Sequence, residues 1–214
     1  PLLRKIKSNY LLIILGLLMA LHLLVEGWRW QMIPAYLLTL LLAWRIKSID
    51  VSKPVRLTFG RGAGFVGLSV LILLAWLLPV LLPVFTLPEP QGPYQVGTEL
   101  IYMPTDRDED ITKDADDKRE LMYKIWYPSD ADVSSMSGEK YVDEASRAGF
   151  ATKYGLAPAM LDYLDRVETY VYPDVPAASE QFPVLIFSHG YGSKATGYYS
   201  LLTEIASQGY VIIN

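Results

Sequence analysis

The segment Ser188-His189-Gly190-Tyr191-Gly192-Ser193 combines a histidine with two glycines at the end of an apolar run. The chemistry this suits is stabilisation of a negative charge by backbone amides. Attack on an ester carbonyl creates a tetrahedral oxyanion, which needs fixed N–H donors about 3 Å away. Glycines let the backbone approach a substrate closely and adopt positive φ. Tyr191 is the candidate donor, through its backbone N–H, and His189, Gly190 and Gly192 are the candidate supports of the loop, His189 as a brace. The competing reading is a tight strand-to-helix turn with an ordinary loop histidine.

The neighbouring sequence specifies what must hold this turn. Val184–Phe187 is a continuous apolar run, as in a strand covered on both faces. Leu201, Leu202, Ile205 and Ala206 are spaced for one face of a helix over about 197–208, Gly209 ends it, and Tyr210–Ile213 starts another buried strand. Strand, turn, helix and strand form a βαβ crossover, which implies parallel pairing. Upstream, Tyr94–Tyr102 and Leu121–Tyr127 read as strands, with the polar 105–120 stretch as a hairpin loop. Tyr141–Phe150 and Ala157–Val167 have helical spacing, as a lid or a covering excursion. Pro88–Pro93 reads as a stiff linker.

Residues 1–86 hold nine Lys and Arg against two Asp and Glu, a net of +7, whereas residues 87–214 hold ten against 21, a net of −11. The overall −4 therefore hides two halves suited to different surroundings. Three apolar runs fill the basic half: Tyr10–Val25, Met32–Trp44 and Ala63–Leu87. A bilayer core takes about 20 apolar residues in a helix, so the first and third suffice and the second is marginal. The expectation is about three spans within 1–87. Arg4, Lys5 and Lys7 could open a signal peptide, but Ala20-Leu21-His22 is a poor cleavage site. Arg45, Lys47, Lys53, Arg56 and Arg61 crowd the loop before the third run, so the amino terminus is expected in the cytoplasm and everything after Leu87 on the outer face. Only His22 and Glu26 bring ionisable groups into the spans, so the region reads as an anchor.

Two apparent motifs fail on context. Gly62-Ala63-Gly64-Phe65-Val66-Gly67 fits G-x-G-x-x-G, but it opens a membrane helix and follows no strand, so no nucleotide cofactor is expected. The aspartates of 106–117 suggest a calcium loop, yet counting from Asp106 the sixth residue is Ile111 and the twelfth Asp117, where Gly and Glu are required. No metal is expected there. With no cysteine, disulfides, thiolate metal sites and a cysteine nucleophile are excluded. The acidic half is not expected to bind nucleic acid.

Phe182–Gly192, with Tyr198-Tyr199-Ser200 and Ile205–Val211, resembles the platelet-activating-factor acetylhydrolase family of α/β-hydrolase-fold serine esterases. Lys124–Pro128 and Gly92–Gly97 are similar to that family's opening strands, so the likeness covers about 92–214. It implies hydrolysis of short or oxidised acyl esters of phospholipids without a metal, with Tyr191 as one oxyanion donor and membrane lipids and the ester as partners. It also implies that His189 is not the catalytic base. The chain departs from the pattern in lacking G-x-S-x-G, and the order Ser, Asp or Glu, His cannot be completed before Asn214. The expectation is a fragment, inactive alone: an anchor (1–87), a linker (88–93) and the first half of an α/β-hydrolase domain (94–214), with a mixed to parallel sheet and crossover helices, truncated before the nucleophile elbow. Other readings are a hydrolase for non-lipid esters or amides, of the dienelactone-hydrolase or polyesterase kind, and a non-catalytic membrane protein with a hydrolase-like binding domain.

Overall fold

The computed structural model describes residues 2–48, 59–114, 116–190, 193 and 195–214, in two compact units, 1–83 and 84–214. The first unit holds helices α1 (Leu2–Val25), α2 (Ile33–Ser48) and α3 (Phe59–Leu81), with a short 3₁₀ turn at Trp30–Met32. Three spans were expected. Among the described residues one helix, over Gly62–Leu81, is long and apolar enough to cross a membrane. In α1 the apolar part among the described residues, Asn9–Val25, is shorter than that. In α2 the 16 residues fall short of a bilayer core.

Several polar residues of this unit meet where α1 turns into α2. His22 Nε2 lies 3.1 Å from the Tyr36 hydroxyl, joining the two helices. Arg29 pairs with Glu26, and the fully buried Gln31 donates from Nε2 to the Leu82 carbonyl at 3.1 Å. His22 and Glu26 thus serve the helix–helix junction.

The second unit is a five-stranded mixed sheet: β1 (Gln95–Asp108), β2 (Lys118–Ser129), β3 (Tyr172–Pro173), β4 (Val184–Ile186) and β5 (Val211–Ile213), in the order β3-β1-β2-β5-β4. β1 and β2 form an antiparallel hairpin with Thr98 opposite Trp126, and β2 pairs antiparallel with β5. β4 and β5 are parallel and joined by the expected crossover, a 3₁₀ turn at Ala195–Tyr198 followed by helix α5 (Tyr199–Ser207). The hairpin runs further than expected, into 103–108 and 118–120, and Lys118 pairs with Asp108 near its end. Both faces are solvated there, so the alternation that marks a half-buried strand is missing from the sequence.

Between β2 and β3 lie helix α4 (Glu144–Tyr154) and a 3₁₀ stretch, Pro158–Arg166, where the apolar spacing suggested an α-helix. Three residues per turn put positions i and i+3 on the same side. Asp162 and Asp165 both meet the buried guanidinium of Arg147 on α4, Asp162 at 2.7 Å. The ion pairs, beyond the reach of apolar periodicity, bind the two segments together.

Val96, Trp126, Val171, Tyr199, Leu202, Ala206 and Ile212 form the core. The face of α5 bearing Leu202 and Ala206 packs over β1, β2 and β5. The Pro88–Pro93 segment is docked on this helix: Gln91 N–H donates to Glu204 at 2.8 Å and Gly92 N–H to the Ser207 hydroxyl at 3.1 Å. A methyl group at Gly92 would lie 2.0 Å from the Ser207 carbonyl oxygen, so only glycine fits. Gly209, at φ 94°, turns the chain from α5 into β5. One expectation is reversed. β4 was read as covered on both faces, yet Val184, Leu185 and Ile186 are 57%, 40% and 86% exposed. β4 is the sheet's edge, and α5 packs over the strands further in.

Beneath α5, Lys124 of β2 pairs with Glu139, whose Oε1 also accepts the Tyr199 hydroxyl at 3.0 Å. Glu139 is fixed by its own N–H donating to the Val171 carbonyl at 2.8 Å. Burial first, and the charge of Glu139 second, hold the Tyr199 phenol far above its ordinary 10.0.

Two outcomes are expected. Leu202→Ala should cost about 2–5 kcal/mol by emptying a fully buried site, read as a lower urea midpoint of the detergent-solubilised protein. Below pH 10.0 the Tyr199 phenol is protonated folded and unfolded, and its contribution is intact. Above it the unfolded chain sheds that proton while the folded chain keeps it, so stability falls as pH rises. Tyr199→Phe should be less stable by about 1 kcal/mol at neutral pH, and the gap should narrow in alkali. Parallel pH dependences of the two proteins would refute the assignment.

Candidate active site

The amide-bearing corner begins where β4 ends. Phe187 extends the parallel pairing, its N–H donating to the Ile213 carbonyl at 2.8 Å, and the chain then leaves the sheet through Ser188, His189 and Gly190. Ser193 N–H returns to the Gly190 carbonyl at 2.9 Å, closing a tight turn that feeds the 3₁₀ segment before α5. β4 and β5 run parallel, so the corner stands at the carboxyl end of the parallel pair. That is where ligands bind in open α/β sheets.

His189 and Gly190 are together on this corner and both are exposed. Nδ1 of His189 lies 3.2 Å from the Gly190 carbonyl oxygen. A carbonyl only accepts, so the hydrogen bond requires the proton on Nδ1. In that tautomer the ring ties itself to the loop backbone and leaves Nε2 outward. Tyr191 and Gly192, the candidate donor and its neighbour, lie outside the described residues. Around Gly190 there is room: a methyl group built there would meet the Tyr198 hydroxyl at 3.7 Å and nothing else within 4 Å among the described residues.

The ring of Tyr198 packs edge-on against Phe187, with centroids 5.1 Å apart and planes at 65°. Tyr199, the next residue, is buried and anchored to Glu139. The corner is therefore held from both sides, by the β5 ladder before it and by the Tyr199–Glu139–Lys124 network after it. Tyr198, Tyr199, Lys124 and Glu139 carry no motif that assigns them a role from sequence. The adjacent tyrosines at the start of the crossover helix were the available signal. Glu139 had none, because its partners are 15 and 60 residues away in sequence.

A cavity of about 310 Å³ lies elsewhere in this unit, between 136–140 and 165–172, lined by Lys140, Asp165, Arg166 and Glu168 among others. It excludes His189 and Gly190. Its lining carries charges of both signs.

Comparison with known proteins bears on the same region. A solved ferulic acid esterase from Streptomyces cinnamoneus is similar at 23% identity and a TM-score of 0.49, over 61% of this chain and 35% of the esterase. The chain thus spans about a third of that esterase's length. No curated protein matches the chain. The family model described as platelet-activating factor acetylhydrolase, isoform II, matches residues 82–214, which takes in the whole sheet, the crossover and the His189–Gly190 corner. By that match, over more than half of its length, the chain belongs to the platelet-activating factor acetylhydrolase isoform II family.

Proposed function

We propose that the full-length protein is a membrane-anchored serine ester hydrolase acting on short or oxidised acyl esters of phospholipids, with its nucleophile, acid and base on sequence beyond Asn214. The observation that carries this reading is the exposed His189–Gly190 corner at the carboxyl end of β4. A serine Oγ attacks the ester carbonyl, and its proton passes to a histidine. The carbonyl oxygen becomes an oxyanion facing the Tyr191 N–H. Collapse expels the alcohol, which takes the proton, and water then releases the acid from the acyl-enzyme. No metal or cofactor takes part in this scheme.

Anchoring is proposed through α3. None of its residues over Gly62–Leu81 is buried, which leaves a continuous apolar surface that water does not tolerate. The cations Arg45, Lys47, Lys53, Arg56 and Arg61 precede this helix, and the acidic unit follows it. With cations retained in the cytoplasm, the hydrolase unit stands on the outer face whether or not α1 and α2 cross as a pair. An ester site tethered beside a bilayer suits lipid substrates.

The full-length protein should turn over short-chain p-nitrophenyl esters and lose that activity on treatment with a fluorophosphonate. Turnover that survives the reagent would count against a serine nucleophile. Phosphatidylcholine with a two-carbon or oxidised sn-2 chain should be cleaved at least ~10-fold faster than the long-chain lipid, since each methylene is worth up to tenfold or more in a fitted pocket. Equal rates would remove the lipid assignment. In intact cells, added protease should digest the acidic unit, and protection would place it inside.

A further inference from the structure

We propose that the cavity between 136–140 and 165–172 binds a small zwitterion, its cationic end against Tyr172 and Glu168 and its anionic end against Lys140 and Arg166. The inference does not rest on the ester-hydrolase reading. At about 310 Å³ the cavity lies at the small end of the ~300–1,000 Å³ typical of ligand pockets, which suits a small polar molecule. Its lining brings together the cations Lys140 and Arg166 and the carboxylates of Glu139, Asp165 and Glu168. Two of those carboxylates are matched within the fold. Glu139 pairs with Lys124, and Asp165 with the buried guanidinium of Arg147. Lys140 Nζ stands 3.5 Å from Asp165 on a side chain that is 60% exposed, and an ammonium with three N–H groups can serve a further acceptor. Glu168 is a neighbour of Tyr172: burial first, and the charge of Glu168 second, push the Tyr172 phenol up. A carboxylate beside an aromatic ring is a combination that attracts substituted ammonium groups.

The walls of the cavity are fixed by contacts of their own. Gly138 passes so close to Thr169 that a β-carbon there would lie 2.2 Å from the Thr169 carbonyl oxygen. The Thr169 hydroxyl donates to the Glu139 carbonyl, and Glu139 N–H to the Val171 carbonyl at 2.8 Å. Asp165 is held through Arg147, which also meets Asp162 at 2.7 Å. Charges set in place before binding reduce the ordering that association costs. The signs then select the ligand. Glu168 repels a simple anion, and Lys140 and Arg166 repel a simple cation, whereas a molecule carrying both charges satisfies both. Zwitterionic phosphoesters have this chemistry, a phosphate monoanion joined by a short carbon link to a substituted ammonium, whether free or as the headgroup of a phospholipid. The binding is non-covalent.

The test is calorimetric titration of the full-length protein, in a maltoside detergent, with phosphocholine. Choline and inorganic phosphate should each bind at least ~10-fold more weakly than phosphocholine, because each keeps one of two charged contacts. Lys140→Ala and Glu168→Gln should each weaken phosphocholine binding by ~10-fold, and Lys153→Ala, an exposed cation outside the cavity, should leave it unchanged. Absence of binding, inorganic phosphate binding as well as phosphocholine, or equal affinity in all three variants would overturn the inference. Weakening in Lys140→Ala alone would make this an anion site and overturn it too. Competition then separates the two sources. Phosphocholine that slows cleavage of a short-chain phosphatidylcholine but not of p-nitrophenyl acetate identifies the lipid headgroup as the ligand. Direct binding without such competition identifies a soluble phosphoester. Missing fluorophosphonate-sensitive turnover would count against the hydrolase reading alone, since the titration needs no reaction.

Discussion

Burial of one face of α5 against the sheet is the interaction on which the acidic unit depends. Leu202 and Ala206 close over Trp126 and Ile212, and each large side chain so buried is worth about 1.5–3 kcal/mol. That contact makes the short parallel pair β4–β5 possible, since parallel strands need a covered connection between them. Three residues per strand would not hold a crossover unaided. The same helix receives the 88–93 segment on its polar side, through Glu204 and Ser207. One nine-residue helix therefore ties the entry of the unit, the hairpin and the crossover into a single core.

The corner inherits its position from this packing. Its first half is an extension of the β4–β5 ladder, and its second half leads into a helix whose first residue, Tyr199, is buried. Between them, among the described residues, only the Tyr198 hydroxyl comes within 4 Å of a β-carbon built at Gly190, and a hydrogen bond crosses the turn to Ser193. Catalysis by preorganised donors requires such a combination, a rigid frame around an unfilled space. The Lys124–Glu139–Tyr199 network adds rigidity at the cost of burying charge, which the paired geometry offsets. It also links β2 with the excursion that follows it, as Glu139 is bonded to Val171 near β3.

The two units show how differently apolar sequence is used. In the first, exposed leucines, tryptophans and phenylalanines lie along the helices, and His22, Tyr36 and Gln31 hydrogen-bond near the α1–α2 turn. In the second, apolar side chains point inwards beneath α5, and the exposed ones concentrate on β4 and the outer hairpin. A sheet edge such as β4 offers unpaired backbone groups as well as apolar side chains.

Much of this was legible from residue order. The crossover 184–213 could be read because Leu201, Leu202, Ile205 and Ala206 repeat at helical spacing between two short β-branched runs, and Gly209 marks the join. The antiparallel hairpin was legible in its inner half, where the buried Trp126 lies between the partly buried Ile125 and Tyr127, and illegible in its outer half, where both faces are wet. Helix α3 announced itself by 25 residues without charge, Ala63–Leu87, whereas the apolar parts of α1 and α2 among the described residues are shorter than a bilayer core requires. The His189–Gly190 turn was visible as a motif, and its local chemistry followed from glycine and amide geometry alone. Only the tertiary structure decided which side chains surround it. Tyr198 reaches the corner, Tyr199 turns away to Glu139, and β4 lies bare at the edge, because contacts between residues distant in the chain depend on strand order and helix placement, which local periodicity does not encode.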